Sequence, residues 1–399
     1  MLINCMHKSK QGLKMKKERK IDWWETIYLF LYGCILIHDF LDTTMFMVKW
    51  PPKFMLIFYF LIMIYSIAKF KWHNHYTRKE IMISAIILTT FTIAAVVADY
   101  SFLFEIAFLI VAAKDISADK ILKIYAVIGT VILIAAFMAS QMGWIENLQY
   151  WKGENMRFSF GIIYPTDFAA HIFYLILASV CICNRVVRIR DILLALFLAI
   201  FVYKEALAST SFLCIVVFVV MIFIFKLYLA SEQNSIVEKM QKSHFMHLLA
   251  YAPVLFAGLF MIMAHMYNPD KVFWIRLDAA LSERLKNSSR GIQEYGYKLF
   301  GQQIQEAGWG RSVAERTDYF FLDDSYIRIA LEYGLIIFIV ILCLYVFLSR
   351  KALKEGRVIM VIAIFMVAVH CFMEQHLLEV AYNPFFLLLF ADMETELRY

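Results

Sequence analysis

Arginines and carboxylates that could do chemistry gather in one polar stretch of this chain. About 60 residues from His265 to Asp324 carry Lys271, Arg276, Arg284, Lys286, Arg290, Lys298, Arg311 and Arg316, between segments that are strongly apolar. The stretch ends in Asp323-Asp324-Ser325-Tyr326, where the chain turns apolar again. Cations at this density fit an anionic ligand, because a guanidinium fork binds a phosphate or carboxylate through two charge-assisted hydrogen bonds. The aspartates beside them can accept a proton, or can cap the helix that follows. A solvated amphipathic helix would also explain several of the arginines.

Three further places set ionisable residues against apolar runs, where charge is costly and so tends to mark a cavity or a partner. Lys152, Glu154 and Arg157 precede Pro165, Asp167 and His171, the last three at helical spacing. An interfacial anchor with a capping aspartate is the plainer reading. Lys204 and Glu205 follow Tyr203 and can equally form a solvated pair. His370, Glu374, His376 and Glu379 lie near the end of another apolar run. His370 and Glu374 are four apart and share a helix face. With no third ligand at fixed spacing, zinc is a poor reading, and an interfacial polar collar is the alternative. Nor is there a Gly-rich phosphate loop, a His-Glu-x-x-His, a Gly-x-Ser-x-Gly or an Asp-x-Asp. Neither a metal nor another cofactor is therefore expected.

The elements that must position these residues are membrane helices. Of 399 residues, 62% are hydrophobic and 17% aromatic, more than a soluble core requires. The formal charge of +6 would fit nucleic acid in a soluble chain, but here most Lys and Arg flank apolar spans, where they set topology. Seven cysteines are scattered and none lies in the long polar stretch, so no disulfide framework is implied.

Apolar runs fall near 23–40, 54–70, 81–97, 102–113, 121–142, 165–183, 192–203, 211–229, 245–265, 325–348, 358–372 and 383–391. They predict an all-α polytopic membrane protein of about twelve spans, of which the fourth, seventh and twelfth are short. Basic clusters at Lys69 to Lys79, Lys114 to Lys123, Arg185 to Arg190, Lys226 to Lys242 and Arg350 to Arg357 alternate with cation-poor connections. The positive-inside rule then puts both termini in the cytoplasm and the stretch 265–324, between the ninth and tenth spans, outside. Long loops are translocated largely regardless of charge, so cations there are free to serve a ligand. Residues 1–20, with seven Lys and Arg and no cleavage site after the next apolar run, read as a basic cytoplasmic tail before a retained signal anchor. No repeat or Gly/Pro-rich linker divides 21–399, which is expected to form one transmembrane domain that includes the long loop.

Several short motifs carry a resemblance. Arg157-Phe-Ser-Phe-Gly161-Ile-Ile-Tyr-Pro165 precedes the sixth span, and the late loop holds Leu-Ser-Glu-Arg284, Leu299-Phe-Gly-Gln302, Asp323-Asp324-Ser325-Tyr326 and Glu332-Tyr-Gly334. With the span count and loop position, the chain resembles Wzy-type polysaccharide polymerases of the O-antigen polymerase and ligase superfamily, nearest those of capsule or exopolysaccharide assembly in Gram-positive bacteria. It departs from that pattern twice. Asp324 stands where Asn is frequent, and Ala208-Ser209-Thr210-Ser211 lacks an arginine for which Lys204, one turn earlier, is the candidate replacement.

The resemblance implies transfer of a growing glycan from undecaprenyl pyrophosphate onto the next lipid-linked repeat unit, outside the plasma membrane of a bacterium. It implies lipid-linked donor and acceptor as partners, alongside a flippase and a chain-length regulator, and no nucleic acid. Pyrophosphate gains charge as the glycosidic bond breaks, and cations aimed at that charge lower the barrier. Arg157, Arg284 and Arg290, with Lys204, are the expected pyrophosphate holders. Asp323 leads as proton acceptor, followed by Asp324 and Glu374. An O-antigen-ligase-like transferase shares this logic, although ligases usually carry a histidine in the late loop, where this chain has only His265 at the start. A lipid-linked oligosaccharide flippase would also have about twelve spans, but would favour broken helices and short loops, and only 14 Gly and 6 Pro occur here. A structural membrane scaffold is the remaining alternative.

Overall fold

A computed structural model describes residues 22–51, 53–73, 76–183, 187–231, 235–308 and 319–393. The basic tail 1–20, Arg185, Arg311 and Arg316 lie outside the described residues.

Helix α1 (Trp23–Asp42) starts where Asp22 caps the amides of Trp24 at 3.0 Å and Glu25 at 3.4 Å. It is followed by α2 (Phe54–Trp72), α3 (Arg78–Val97), α4 (Phe102–Ala112) and α5 (Ala118–Gln141). A reciprocal capping box between Thr77 and Glu80 opens α3. A two-stranded antiparallel hairpin, β1 (Gln149–Lys152) and β2 (Asn155–Phe158), interrupts the helices before α6 (Pro165–Cys183). Gly153, with φ of 63°, takes the first turn position, where a two-residue hairpin loop favours glycine.

Next come α7 (Ile189–Glu205), α8 (Ser209–Ser231), α9 (Ser235–Gln241), α10 (His244–Ala250) and α11 (Ala252–Met266). The long connection holds α12 (Val272–Ala280) and α13 (Arg284–Tyr295). A four-residue helix α14 (Ser325–Arg328) runs into a π-helical turn at Ile329–Tyr333, then α15 (Leu335–Lys354) and α16 (Val358–His370).

Among the described residues, seven helices are long and apolar enough to cross a membrane: α1, α2, α3, α5, α6, α8 and α15. An eighth span results if α10 and α11, bent by 57° at Tyr251, are one broken crossing. Their lipid-facing sides expose residues such as Phe60, Val96, Val131 and Leu213, which a bilayer accepts and water does not. The chain is a multi-pass, all-α membrane protein.

Several of the twelve expected spans differ from continuous crossings. The ninth breaks at Tyr251, two residues before Pro253, which has no amide to donate. The tenth begins only at Leu335, because Gly334 at φ 96° ends the π turn and no helix passes through it. The eleventh is the 13-residue α16, about 20 Å long and buried along nearly its whole length. The twelfth is a 3-10 helix of five residues, Phe385–Leu389, all buried; it is core packing and not a span.

The basic residues at one end of the bundle stitch neighbouring segments together. Lys69, 1% exposed, donates to the carbonyls of Ala112, at 3.1 Å, and Lys114, capping α4 where its last carbonyls have no helical partner. Arg357 pairs with Asp119, Lys120 with Glu25, and Lys114 with Glu80 at 2.8 Å. Lys351 reaches the carbonyls of Leu389 at 3.2 Å and Ala391 at 2.7 Å. The hairpin, α13 and the turn after α16 gather at the opposite end, around the central helix α6.

Candidate functional site

The start of α13 is built by a sharp reversal. Ser282 and Glu283 adopt left-handed conformations, with φ of 54° and 64°, and Asp278 accepts from the amide of Lys286 at 3.0 Å. That reversal makes Arg284 the first residue of α13 and aims it across the bundle mouth. Its Nε donates to the Met373 carbonyl at 2.5 Å and its Nη2 to Glu374 Oε1 at 3.3 Å, while Asp323 Oδ2 lies 4.0 Å from the same nitrogen. Burial pulls the guanidinium down, but Asp323 and Glu374 outweigh it and hold it above its ordinary range. Burial raises the Glu374 carboxyl despite Arg284 beside it.

Arg157 arrives from the hairpin. Its cross-strand partner is Tyr150, over whose ring the guanidinium sits at 5.8 Å. Tyr150 is anchored by donating to the Ile163 carbonyl at 3.0 Å and by stacking on Tyr164 at 5.2 Å. The Arg157 Nε is buried with no hydrogen-bond partner among the described residues. Burial lowers the Arg157 guanidinium from its ordinary value.

Arg157, Arg284, Asp323 and Glu374 converge on one polar cavity of about 870 Å³, with Lys152 at its rim. Asp167, Ser209 and Thr210 complete its wall, and Tyr319 and Phe321 close the loop side. Burial lowers the Lys152 ammonium, helped by Arg157. Beside this cavity an apolar cleft of about 640 Å³ opens between α5, α6 and α7, lined by Leu133, Phe137, Phe168, Phe197 and Phe201. Consecutive residues of α6 line the two, Asp167 the polar cavity and Phe168 the apolar cleft.

Three expected site residues stand elsewhere. Asp324 is fully buried away from the cavity; it caps α14 by accepting from the Ile327 amide at 2.7 Å and takes the Ser288 hydroxyl at 2.5 Å. Its carboxyl is pushed up by burial to about 6. Arg290 faces solvent on α13, paired with Glu294 at 2.7 Å and resting on the Phe320 ring at 4.8 Å. Lys204 is exposed at the end of α7 and does not line the cavity, so Lys152, near the Leu207 carbonyl at 3.4 Å, supplies the cation on that side.

The motifs at Leu299 to Gln302 and Glu332 to Gly334 dock backbone to backbone. The Gln302 amide donates to the Glu332 carbonyl at 2.9 Å, and the amides of Leu335 and Ile336 donate to the Lys298 and Leu299 carbonyls at 3.0 and 3.1 Å. A Cβ on Gly301 would stand 2.1 Å from the Glu332 oxygen, and one on Gly334 would stand 2.3 Å from the Gly301 nitrogen. Glycine at both positions is thus a condition for closing the loop onto the bundle. The hairpin and the cavity roles of Lys152, Tyr319 and Asn287 were missed by sequence reasoning. Gly153 between Tyr-Trp-Lys and Asn-Met-Arg-Phe was the one available hairpin signal.

No protein-family model, curated protein or solved structure matches this chain.

Proposed function

We infer that this protein is a glycosyltransferase that polymerises lipid-linked oligosaccharide repeat units on the outer face of a bacterial plasma membrane. The observation that carries this reading is the convergence of Arg157, Arg284 and Lys152 with Asp323 and Glu374 in one cavity. These residues come from segments up to 222 positions apart, Lys152 to Glu374, and all lie at the bundle end opposite the basic stitches. In the positive-inside orientation that end is extracytoplasmic and both termini are cytoplasmic.

The parts suit a pyrophosphate-linked glycan. Arg157 offers a buried nitrogen that no group among the described residues satisfies, and Lys152 adds an exposed ammonium at the rim. Arg284 is already held by Glu374 and Asp323, so it contributes a fixed charge facing the developing negative charge of the leaving group. The apolar cleft beside Phe168 takes the carrier's isoprenoid chain while its pyrophosphate sits with the cations. A cavity of about 870 Å³ is at the large end of the roughly 300–1,000 Å³ usual for ligand sites, as two sugar-bearing substrates require.

The cellular test is loss of the protein followed by sizing of the surface glycan. Polymerase action predicts single repeat units in place of a ladder. Full-length polymer retained on lipid would assign the chain to ligation, and lipid-linked units trapped inside would assign it to flipping.

A further inference from the structure

We propose that Asp167, backed by His376 and Glu379, accepts the proton from the acceptor sugar hydroxyl. This rests on the polymerase reading of the cavity. Asp167 lines the cavity from the first turn of α6. Behind it, His376 is 1% exposed, and its Nε2 has no hydrogen-bond partner among the described residues and stands 3.7 Å from Asp167 Oδ1. The other ring nitrogen, Nδ1, meets Glu379 Oε2 at 2.7 Å. Tyr382 stacks on the imidazole at 3.8 Å and is itself stacked on His171 at 4.0 Å, so the ring is clamped.

This geometry fixes a direction for the proton. A neutral His376 that donates Nδ1–H to Glu379 presents the Nε2 lone pair to Asp167. The other cavity carboxylates, Asp323 and Glu374, are turned to Arg284, at 4.0 and 3.3 Å from its Nη2, whereas Asp167 faces the His376 ring. As the acceptor oxygen bonds to the anomeric carbon, the bond from that carbon to pyrophosphate breaks, and its electron pair leaves on the pyrophosphate oxygen. The hydroxyl proton passes to Asp167 and is shared with His376 Nε2, the imidazolium being stabilised by Glu379. Water entering the emptied cavity removes the proton after the product leaves.

Asp323, Glu374 and Glu379 all bear electrostatically on Asp167, and His376 is faced by Asp167, Glu374, Glu379, His171 and His370. Burial alone would lower the His376 imidazole; Glu379 and Asp167 outweigh it and hold it above its ordinary range. Turnover that needs neutral His376 therefore rises with pH through that raised value.

The test is polymerisation by the full chain in nanodiscs, supplied with lipid-pyrophosphate-linked repeat units, followed as kcat and KM against pH. Asp167→Asn should lower kcat about a hundredfold with little change in KM, and Asp167→Glu should recover part of it. Glu379→Gln should move the acid limb of the profile down by about one pH unit. Wild-type kcat in Asp167→Asn, or an unmoved acid limb in folded Glu379→Gln, would overturn the relay. Should Asp167→Asn lack a cooperative melt, the Glu379→Gln limb decides alone. A wild-type chain that forms no polymer removes the polymerase reading and the relay together; a polymerising wild type with unaffected variants removes only the relay.

Discussion

Arg284 and Glu374 meet at 3.3 Å with side chains only 10% and 7% exposed, joining the start of α13 to the turn after α16. Removing either partner alone strands a charge in a poorly solvated place. Arg284→Leu or Glu374→Leu alone should destabilise the protein by about 3–5 kcal/mol, and the double variant by clearly less, because both charges then leave together. Thermal unfolding in detergent for the four members of the cycle measures this. Additive losses would show that the pair is not coupled.

Arg157 is a different kind of arginine. Its Nε has no hydrogen-bond partner among the described residues, so Arg157→Ala should cost little stability but about tenfold to a hundredfold in affinity for a pyrophosphate-bearing lipid. Calorimetry with a short isoprenyl pyrophosphate would read the loss directly. Equal binding by wild type and Arg157→Ala would remove Arg157 from the anion site.

Gly301 and Gly334 should tolerate no side chain. Each sits at positive φ, 84° and 96°, with backbone atoms of the partner segment inside the space a Cβ needs. Gly301→Ala or Gly334→Ala should lower stability by about 2–5 kcal/mol, combining overpacking with left-handed strain. Limited proteolysis should then cut the 298–308 segment faster than in the wild type.

Asp324 gives a pH prediction. Its folded carboxyl keeps its proton up to about pH 6, whereas in the unfolded chain it ionises near 4. The folded state therefore binds more protons between those values, and this group's stabilising contribution, complete below about pH 4, is lost as pH rises to about 6. Asp324→Asn can still accept from the Ile327 amide and carries no charge to bury. It should flatten the stability profile over pH 4–6, be more stable than wild type by of order 2 kcal/mol at pH 7, and still polymerise. A steep profile in Asp324→Asn would place the titrating group elsewhere.

How far the chain could be read from its sequence depended on the length scale. Eleven of the twelve apolar runs hold α-helix and the twelfth a short 3-10 helix, because a long apolar segment in lipid must satisfy its own amides, so the class follows from composition. Where helices break was less visible. The stop at Gly334 depends on Gly301 approaching from another segment, and nothing local to Asn383–Ala391 distinguishes buried packing from a short span. At the site, Arg157, Arg284, Asp323 and Glu374 were legible as charges flanking apolar runs. Asp324 was not separable from Asp323 by type; which of two adjacent aspartates caps α14 is decided by Ser288 and the Ile327 amide. Lys204 and Lys152 were likewise ordered by the hairpin, a long-range arrangement that helical spacing cannot report.

The most direct measurement is polymerisation by the purified full chain in nanodiscs with lipid-pyrophosphate-linked repeat units, reading glycan length and released lipid pyrophosphate together. Polymerisation at this cavity predicts a ladder and stoichiometric pyrophosphate-lipid release for the wild type, and loss of both in a folded Arg157→Ala, Arg284→Ala double variant. A wild-type-length ladder from that variant would contradict the assignment of the cavity cations to the leaving group, and absence of any ladder from the wild type would contradict polymerisation itself.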